Sequence, residues 1–448
     1  METLNNIITV VNDFLWTYIL VIALIVLGIY FTIKTKFVQF RYFKEMFRLL
    51  GDGMGKDAKG DGKVSSFQAF CISTASRVGT GNIAGISIAI VGGGPGAIFW
   101  MWVVALIGSA SSFVESTLAQ IYKVRDGAAF RGGPAYYIEQ GLKNKKMAIL
   151  FSVLITISFA FVFNAVQSNT MTVAFHAAFG IDKFLMGIIL CALTTAVIFG
   201  GVQRIAKITE VIVPIFAVAY ILVALFIVFK NINLMPQVFE AIFSQALNFK
   251  DFTVGTFTGT ILVGIKRGLF SNEAGMGSTP HAHAVAKVKH PCDQGMVAMM
   301  GVFIDTLIIL NLTAFSVLCT GQLTEYNQPL SAAALTQAAF NSGFGSFGSI
   351  FIAICMFFFA FSTIVGWYFF GEKNVRYLFG TKAVKPYAVL VTIFIVIGSA
   401  LKVELVWNLS DLFNSLMVIP NVLGLWALSG VAKELYADWK SQKPAKVK

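Results

Sequence analysis

Hydrophobic residues along this chain form long runs, separated by short polar and basic loops. A run of roughly 20 apolar residues is long enough to cross the hydrocarbon core of a bilayer as a helix. The first such run covers residues 14–33, and similar runs recur over the whole length of the chain. We therefore predict an all-α polytopic membrane protein with about 11 transmembrane helices.

The predicted spans are the apolar runs, bounded by the polar residues that flank them. They cover residues 14–33, 64–91, 97–122, 147–174, 184–199, 208–229, 252–285, 296–318, 350–370, 387–401 and 412–431. Basic residues cluster in alternate loops, and such loops stay in the cytoplasm, so the N-terminus is predicted outside and the C-terminus inside. Short helices are expected in the outer connection 231–251 and from residue 332.

Composition agrees with a membrane protein and argues against a soluble domain, a nucleic-acid-binding protein and a cysteine-based metal site. Charged residues make up 12% of the chain, against roughly 25% in a soluble domain. The formal net charge of +12 lies in short loops between spans, so the positive-inside rule explains it better than nucleic-acid binding. The five cysteines have no metal-ligand spacing and are interpreted as small buried residues.

Two predicted spans contain a polar interruption that includes glycine. Residues 77–85 read RVGTGNIAG within span 64–91, and residues 267–276 read RGLFSNEAGM within span 252–285. Arginine, asparagine, alanine and glycine recur at the same spacing in both segments. Irregular backbone inside a bilayer needs partners from protein or water, so both segments are candidate binding-site segments.

The paired interruptions predict an inverted repeat of five plus five helices, preceded by one extra helix. Each interrupted span is followed by four further spans, and the two interrupted spans start on opposite sides of the membrane. Such pairs are typical of secondary transporters that bind ligands near the bilayer midplane. The predicted units are an extra helix and cytoplasmic loop at 1–63, a first repeat at 64–230, an extracellular connection at 231–251, a second repeat at 252–433 and a cytoplasmic tail at 434–448.

Two broken helices offer a ligand both kinds of helix end. Amide groups that begin a half-helix attract carboxylates, and carbonyl groups that end one attract cations and ammonium groups. An amino acid zwitterion with a small cation fits this pair best, and Gly79 and Gly81 would let a carboxylate approach the backbone. The adjacent hydroxyls of Ser362 and Thr363 either supply oxygens for a cation or bond back to their own helix.

Other polar residues within the spans have more than one interpretation. Asn164 and Gln167 would join helices or contact substrate. Six charged residues lie within or near spans: Arg77, Glu115, Lys266, Arg267, Glu273 and Asp305. We expect an ion-pair network that gates or supports the site, with Arg77 and Glu273 as one hypothetical pair across the breaks.

Three longer motifs carry a resemblance to a known family. They are RVGTGNIAG at 77–85, GGGPGAIFWMW at 92–102 and GLFSNEAGMG at 268–277. Residues 78–82 resemble the first broken helix of the leucine-transporter fold, and the three motifs together resemble the alanine/glycine:cation symporter family. This resemblance implies sodium-coupled import of alanine or glycine by alternating access. It also implies a multi-pass protein of a bacterial or archaeal cell membrane, expected to function as a monomer.

The same resemblance implies the residues of the site. Sodium would be bound by the carbonyl oxygens of Ala75 and Val78 and by Ser362 and Thr363. Residues expected to contact or enclose substrate are Gly79, Thr80, Gly81, Asn82, Asn164, Gln167, Phe270, Asn272, Thr363 and Trp367. A second sodium site at Asn82 and Asn311 is disfavoured by the charge of Arg77.

Three other functions compete with sodium symport. Proton coupling would use Glu115, Glu273 or Asp305 as the carrier. An ion channel is disfavoured because repeats inverted within one chain do not form a ring of identical filter segments. An enzyme is disfavoured because the sequence contains no metal-ligand cluster, nucleophile–base pair or phosphate-binding loop.

Overall fold

Helices account for nearly all of the described chain. The structure, a computed structural model, describes residues 2–54, 64–127, 129–247, 256–321 and 332–442. Within these ranges the strands are β1 (Val124–Asp126) and β2 (Ala129–Arg131), which pair antiparallel. The predicted all-helical membrane fold is confirmed.

The helices are numbered in chain order, and a helix with a π-helical turn inside it keeps one number. They are α1 (Asn5–Lys34), α2 (Val38–Arg41), α3 (Phe43–Asp52), α4 (Ser66–Arg77), α5 (Ala84–Gly93), α6 (Gly96–Ile121), α7 (Pro134–Leu142), α8 (Lys145–Phe179), α9 (Lys183–Ile198), α10 (Gly201–Lys230), α11 (Met235–Ala246), α12 (Thr256–Asn272), α13 (Pro280–Ala284), α14 (Pro291–Cys319), α15 (Ala332–Phe344), α16 (Ser346–Phe379), α17 (Val384–Ala400), α18 (Val403–Ala427) and α19 (Ser429–Gln442).

Eight helices in the described ranges are long and apolar enough to cross a membrane, namely α1, α6, α8, α10, α14, α16, α17 and α18. The three remaining predicted spans correspond to the 16-residue helix α9 and to the two interrupted segments, α4 with α5 and α12 with α13. The total of eleven spans, their orientation and the unit boundaries stay predictions. Helices α11 and α15 occupy the two connections in which short helices were expected.

The first interrupted span breaks at its glycines. Helix α4 begins at a capping box, in which Ser65 Oγ accepts a hydrogen bond from the Gln68 amide and Gln68 Oε1 accepts one from the Ser65 amide. It ends at Arg77, just before Gly79 and Gly81, and a 3₁₀ turn at Thr80–Asn82 leads into α5. Glycine weakens a helix because its backbone has more freedom to lose.

The second interrupted span breaks at residues 272–278, the polar stretch at which the sequence predicts the interruption and which overlaps the end of the matching motif. Helix α12 continues through Asn272, and the irregular segment that follows contains Gly275 and Gly277 with φ values of 79° and 84°. Asn82 therefore lies within the first break, whereas Asn272 ends the helix before the second. The equal spacing of these asparagines is therefore not a structural equivalence, since α12 ends at Asn272 with Glu273 in the left-handed region, whereas α4 ends five residues before Asn82.

Small residues allow the helices of the bundle to approach closely. On α17, a Cβ added to Gly398 would lie 2.5 Å from Cα and 2.8 Å from Cβ of Ala165 on α8. Close backbone approach at small residues is a main source of helix association in membranes. The contact between α8 and α17 thus depends on Gly398.

We expect Gly398→Ala to destabilise the protein by about 1–3 kcal/mol, because the added methyl group must push two helices apart. The matched control is Gly430→Ala on α19, where an added Cβ meets nothing within 4 Å. The measurement is the thermal unfolding midpoint of purified protein in detergent. Equal midpoints for the two variants would contradict the proposed close packing.

Candidate functional site

Side chains from two other helices hold the first break. The backbone amide of Thr80 donates to Gln167 Oε1 on α8 at 3.0 Å. Gly79 makes this approach possible, since a Cβ there would lie 2.6 Å from Thr363 Oγ1 on α16 and 3.0 Å from Gln167 Oε1. Four predicted site residues, Gly79, Thr80, Gln167 and Thr363, are therefore brought together.

The break releases a carbonyl oxygen towards α16. In a continuous helix the Ala75 carbonyl would accept from the amide of residue 79. The Gly79 amide instead donates to the Arg77 carbonyl at 2.9 Å and to Asn82 Oδ1 at 3.1 Å. The freed Ala75 carbonyl accepts a hydrogen bond from Thr363 Oγ1 at 2.7 Å.

Three of the four predicted sodium ligands converge at this point. Thr363 Oγ1 lies 2.7 Å from the Ala75 oxygen and 3.3 Å from the Val78 oxygen. The Ser362 hydroxyl donates to the Phe359 carbonyl of its own helix at 3.1 Å, as in the alternative interpretation of this pair. In the structure, the hydroxyl that contacts the broken helix is that of Thr363.

Two asparagines attach both breaks to one turn of α14. Asn82 Nδ2 donates to Asp305 Oδ1 at 2.7 Å, and Asn272 Nδ2 donates to Thr306 Oγ1 at 3.2 Å. Ser271 Oγ adds a bond to Asp305 Oδ2 at 3.0 Å. Asp305 and Thr306 belong to the π-helical turn Ile304–Leu310 of α14. Such turns are frequent at functional sites.

The role of Asp305 as an anchor for both breaks was missed from the sequence. The sequence shows an aspartate within the apolar run 296–318. This predicts a charged group in the membrane but does not identify its hydrogen-bond partners. Asn311, one turn further along α14, does not join Asn82. It accepts a hydrogen bond from Trp102 Nε1 and donates to the Leu307 carbonyl.

Aromatic rings form a wall beside the two breaks. Phe270 and Trp367, both predicted here, have ring centroids 6.1 Å apart. Phe163 lies 5.2 Å from each of them, and Trp407 lies 5.1 Å from Phe270. Phe163 and Trp407 were not predicted, because nothing in the sequence distinguishes them among many aromatic residues in apolar runs.

Several buried polar atoms near the first break lack a hydrogen-bond partner in the described chain. They are Thr80 Oγ1, Gln167 Nε2 and Asn164 Oδ1. Asn164 lies one helical turn before Gln167 on the same face of α8, and its Nδ2 donates to the Ala160 carbonyl at 3.1 Å. An unpaired buried polar group costs about 1–3 kcal/mol, so this cluster fits a ligand with both donors and acceptors.

Glu115 on α6 accepts hydrogen bonds from backbone amide groups of the second break. Its carboxylate accepts from the backbone amides of Gly275 and Gly277, each at 3.1 Å, and from Asn421 Nδ2 at 3.2 Å. The carboxylate thus satisfies the electropositive backbone that an anionic ligand would otherwise contact. The first break is consequently the one at which a ligand carboxylate finds unused donors.

The hypothetical ion pair between Arg77 and Glu273 is wrong. The Arg77 guanidinium donates to Ser112 Oγ, to Thr279 Oγ1 and to a carbonyl of α14 at 3.2–3.3 Å. Glu273 accepts instead from Trp367 Nε1 at 2.7 Å and from serine hydroxyls. The hydrogen-bond partners of both charges are neutral groups, and no ion pair joins the two residues in the described chain.

The expected ion-pair network is limited to two contacts among the six predicted charges of the described chain. Arg267 bonds to Asp411 on α18 at 2.5 Å, and Lys266 lies 4.0 Å from Asp13 on α1. Both partners of the first pair are buried, and the Arg267 guanidinium also lies 4.9 Å from the centroid of the Trp407 ring. This pair therefore joins α12 to α18 directly beside the aromatic wall.

The fold, with its two hydrogen-bonded breaks in membrane helices, is of the leucine-transporter type. A solved structure with this fold, MhsT in complex with L-phenylalanine, matches with a TM-score of 0.63 at 14% sequence identity, over 85% of this chain and 93% of that one. A sodium-coupled sialic acid symporter matches with a TM-score of 0.51 over 96% of this chain and 86% of that one, at 13% identity. These similarities concern the fold alone.

Residues 1–448 match the model of the sodium:alanine symporter family, and the chain belongs to that family. It is 50% identical over 446 residues to the "Probable sodium/glutamine symporter GlnT" of Bacillus subtilis, covering 99% of this chain and 92% of the relative. It is 39% identical to the sodium/alanine symporter AgcS of Methanococcus maripaludis, over 95% of each chain.

The predicted class of function is confirmed by these similarities. The protein is a sodium-coupled amino-acid symporter of the cell membrane, with sodium as the co-transported ion, and it is not an enzyme. The motifs quoted from the sequence were therefore sufficient to find the family. The individual ligand contacts remain predictions, and the structure gives the positions of the residues that would make them.

We expect Arg267→Gln or Asp411→Asn alone to destabilise the protein by about 3–5 kcal/mol, because each leaves a buried charge without its partner. The double variant should recover most of that loss, as measured by thermal unfolding and by folded yield.

The matched comparison is Arg267→Gln with Glu115→Gln, two buried charges that have different hydrogen-bond partners. This double variant should show no recovery over its single variants, since additivity holds for residues that share no partner. Additive losses at Arg267 and Asp411 would contradict the ion pair.

Proposed function

We propose that this symporter imports alanine or glycine with sodium, and that one chain contains the complete site. The observation that carries the proposal is the close approach of the aromatic wall to the first break. A Cβ added to Gly81 would lie 3.3 Å from Cδ1 of Phe270. The ring therefore leaves little space beside this backbone, which favours a substrate whose side chain is a methyl group or a hydrogen atom.

Unpaired polar atoms at the first break support a zwitterionic substrate. The Thr80 hydroxyl and Gln167 Nε2 are unused donors beside the amino-terminal end of α5, where a carboxylate is favoured. Asn164 Oδ1 is an unused acceptor on the same helix face as Gln167, and it would accept from the substrate ammonium group. Asn82 and Asn272 contribute differently in this proposal, by holding the breaks in position.

The proposed sodium site consists of Ala75, Val78, Ser362 and Thr363. Its support is the convergence of two carbonyl oxygens and the Thr363 hydroxyl within 2.7–3.3 Å. The hydroxyl that now donates to Ala75 would rotate and offer a lone pair to the ion. The Ser362 oxygen would coordinate the ion through a lone pair, while its hydroxyl proton stays hydrogen-bonded to the Phe359 carbonyl.

Two alternatives have an observation in their favour. The 50% identity to a protein named as a sodium/glutamine symporter favours glutamine, which needs a longer pocket than alanine. Proton coupling is favoured by the buried carboxylate of Asp305. However, Asn82, Ser271 and Thr306 all donate to that carboxylate, and such donors stabilise its ionised form rather than a proton carrier.

Uptake into proteoliposomes separates these functions. We expect labelled alanine or glycine to accumulate under an inward sodium gradient, and unlabelled glutamine in excess to compete weakly. Accumulation driven by a proton gradient without sodium would contradict the proposed coupling. Competition by glutamine as strong as that by alanine would contradict the proposed substrate size and leave the coupling intact.

We expect Thr363→Val to raise the sodium concentration for half-maximal uptake by about tenfold or more, corresponding to about 1.4 kcal/mol. The reason is the loss of one oxygen ligand without a change in side-chain shape. The control is Thr392→Val on α17, whose hydroxyl bonds to the Val389 carbonyl of its own helix. An unchanged sodium dependence in Thr363→Val would remove α16 from the cation site.

A further inference from the structure

A basic cavity lies between the C-terminal end of α1 and helix α19. Its volume is about 390 Å³, and its lining includes Lys34, Lys36, Tyr436, Lys440 and Ser441. Lys433 and Ala437 complete the lining, which therefore contains four lysines from two chain segments that are distant in sequence. This cavity is separate from the two breaks and has no role in the proposed transport site.

Helix periodicity explains why the lysines of α19 face the cavity. Lys433 and Lys440 are seven residues apart and lie on one face of the helix, together with Ser441. The neighbouring face carries Tyr436 and Trp439, which are buried against the protein. The Tyr436 ring packs against the rings of Trp439 and Tyr42, so the cavity has a rigid aromatic floor.

The first two lysines are fixed by a tight turn after α1. Lys36 and Phe37 have φ values of 54° and 59°, in the left-handed region that is uncommon for residues other than glycine. The turn is closed by a hydrogen bond from the Phe37 amide to the Thr32 carbonyl at 2.7 Å. It directs the chain away from α1 at Lys34 and leaves Lys34, Lys36 and Phe37 exposed.

Aromatic residues place the cavity at the depth of the lipid headgroups. Tyr30, one turn before Lys34, stacks on Trp426 at a centroid distance of 4.7 Å, and Trp426 is 48% exposed. Tyrosine and tryptophan are enriched at the membrane–water interface. The Lys34 ammonium lies 5.5 Å from the centroid of the Tyr30 ring, just beyond this aromatic level.

The positive charge of the cavity is not neutralised within the described chain. None of its four lysines forms an ion pair with a carboxylate among the described residues. The acids of α19, Glu434 and Asp438, are rotated from Lys433 by about 100° and 140° around the helix. Asp438 is bonded to His290 and Gln442 instead.

An apolar surface leads from the cavity into the membrane. Along its length leading to Lys34, α1 exposes Ile22, Val26, Ile29 and Ile33, which recur at spacings of three and four residues and form one stripe. Leu423 on α18 is exposed on the adjacent helix. A molecule with an anionic head and apolar chains would therefore contact lysines and this stripe at the same time.

We propose that this cavity binds the phosphodiester headgroup of an anionic phospholipid, with its acyl chains along the exposed stripe of α1. The four lysines lie on the side predicted to be cytoplasmic, so the lipid would belong to the inner leaflet. Basic pockets between membrane helices on that side suit anionic headgroups, and lysine donates to phosphate oxygens as a compact charge. A phosphatidylglycerol-type lipid has the required single negative charge and two chains.

The test measures lipid retention by the purified full-length protein in detergent, using native mass spectrometry with added phosphatidylglycerol or phosphatidylcholine. The pocket variant combines Lys34→Gln, Lys433→Gln and Lys440→Gln. The matched control combines Lys145→Gln, Lys146→Gln and Lys382→Gln, which removes three exposed lysines on the same predicted side but outside the cavity. Glycerol 3-phosphate, added to the wild-type protein, tests whether the headgroup chemistry alone is sufficient.

We expect the pocket variant to bind phosphatidylglycerol about tenfold more weakly than the wild type, and the control to differ by less than about twofold. A variant with Arg at the same three positions should retain binding, which separates loss of charge from loss of folding. Equal retention by the pocket and control variants would overturn the proposal. Equal binding of phosphatidylcholine, or binding of glycerol 3-phosphate as tight as that of the lipid, would overturn it as well.

Discussion

Inside a membrane, every backbone amide and carbonyl that leaves a helix needs a partner from the protein or from water in a cavity, because lipid offers none. This protein breaks two of its helices, and the rest of the architecture supplies those partners. Gln167 and Thr363 satisfy groups of the first break, whereas Glu115 and Asn421 satisfy groups of the second. The helices that carry these side chains are held around the breaks by that requirement.

The two breaks are satisfied in unequal ways. At the second break a carboxylate of the protein already occupies the amide groups. At the first break the partners are neutral, and polar atoms of Thr80 and Gln167 remain unused. This difference supports the proposal that a zwitterion and a cation bind at the first break, beside Phe270 of α12.

The fold was predictable because its strongest signals are local. Apolar runs define the spans, and glycine pairs in two of them define where helices break. The exact relation of the repeats was not predictable from the matched motif, since Asn82 and Asn272 take different positions relative to their breaks. Contacts between distant helices were also beyond the sequence. With 43 phenylalanines in the chain, no pattern marks Phe163, and the partners of Arg77 come from three other segments.

The neighbouring positions of Asp305 and Thr306 have a mechanical consequence. Each receives the amide of one asparagine, so a half-helix from each repeat is fastened to the same turn of α14. A tilt of either half-helix against α14 would stretch its own hydrogen bond or move the turn of α14. Moving the turn would also affect the hydrogen bond to the other half-helix. A movement of either break relative to α14 would therefore be transmitted to the turn that holds the other break.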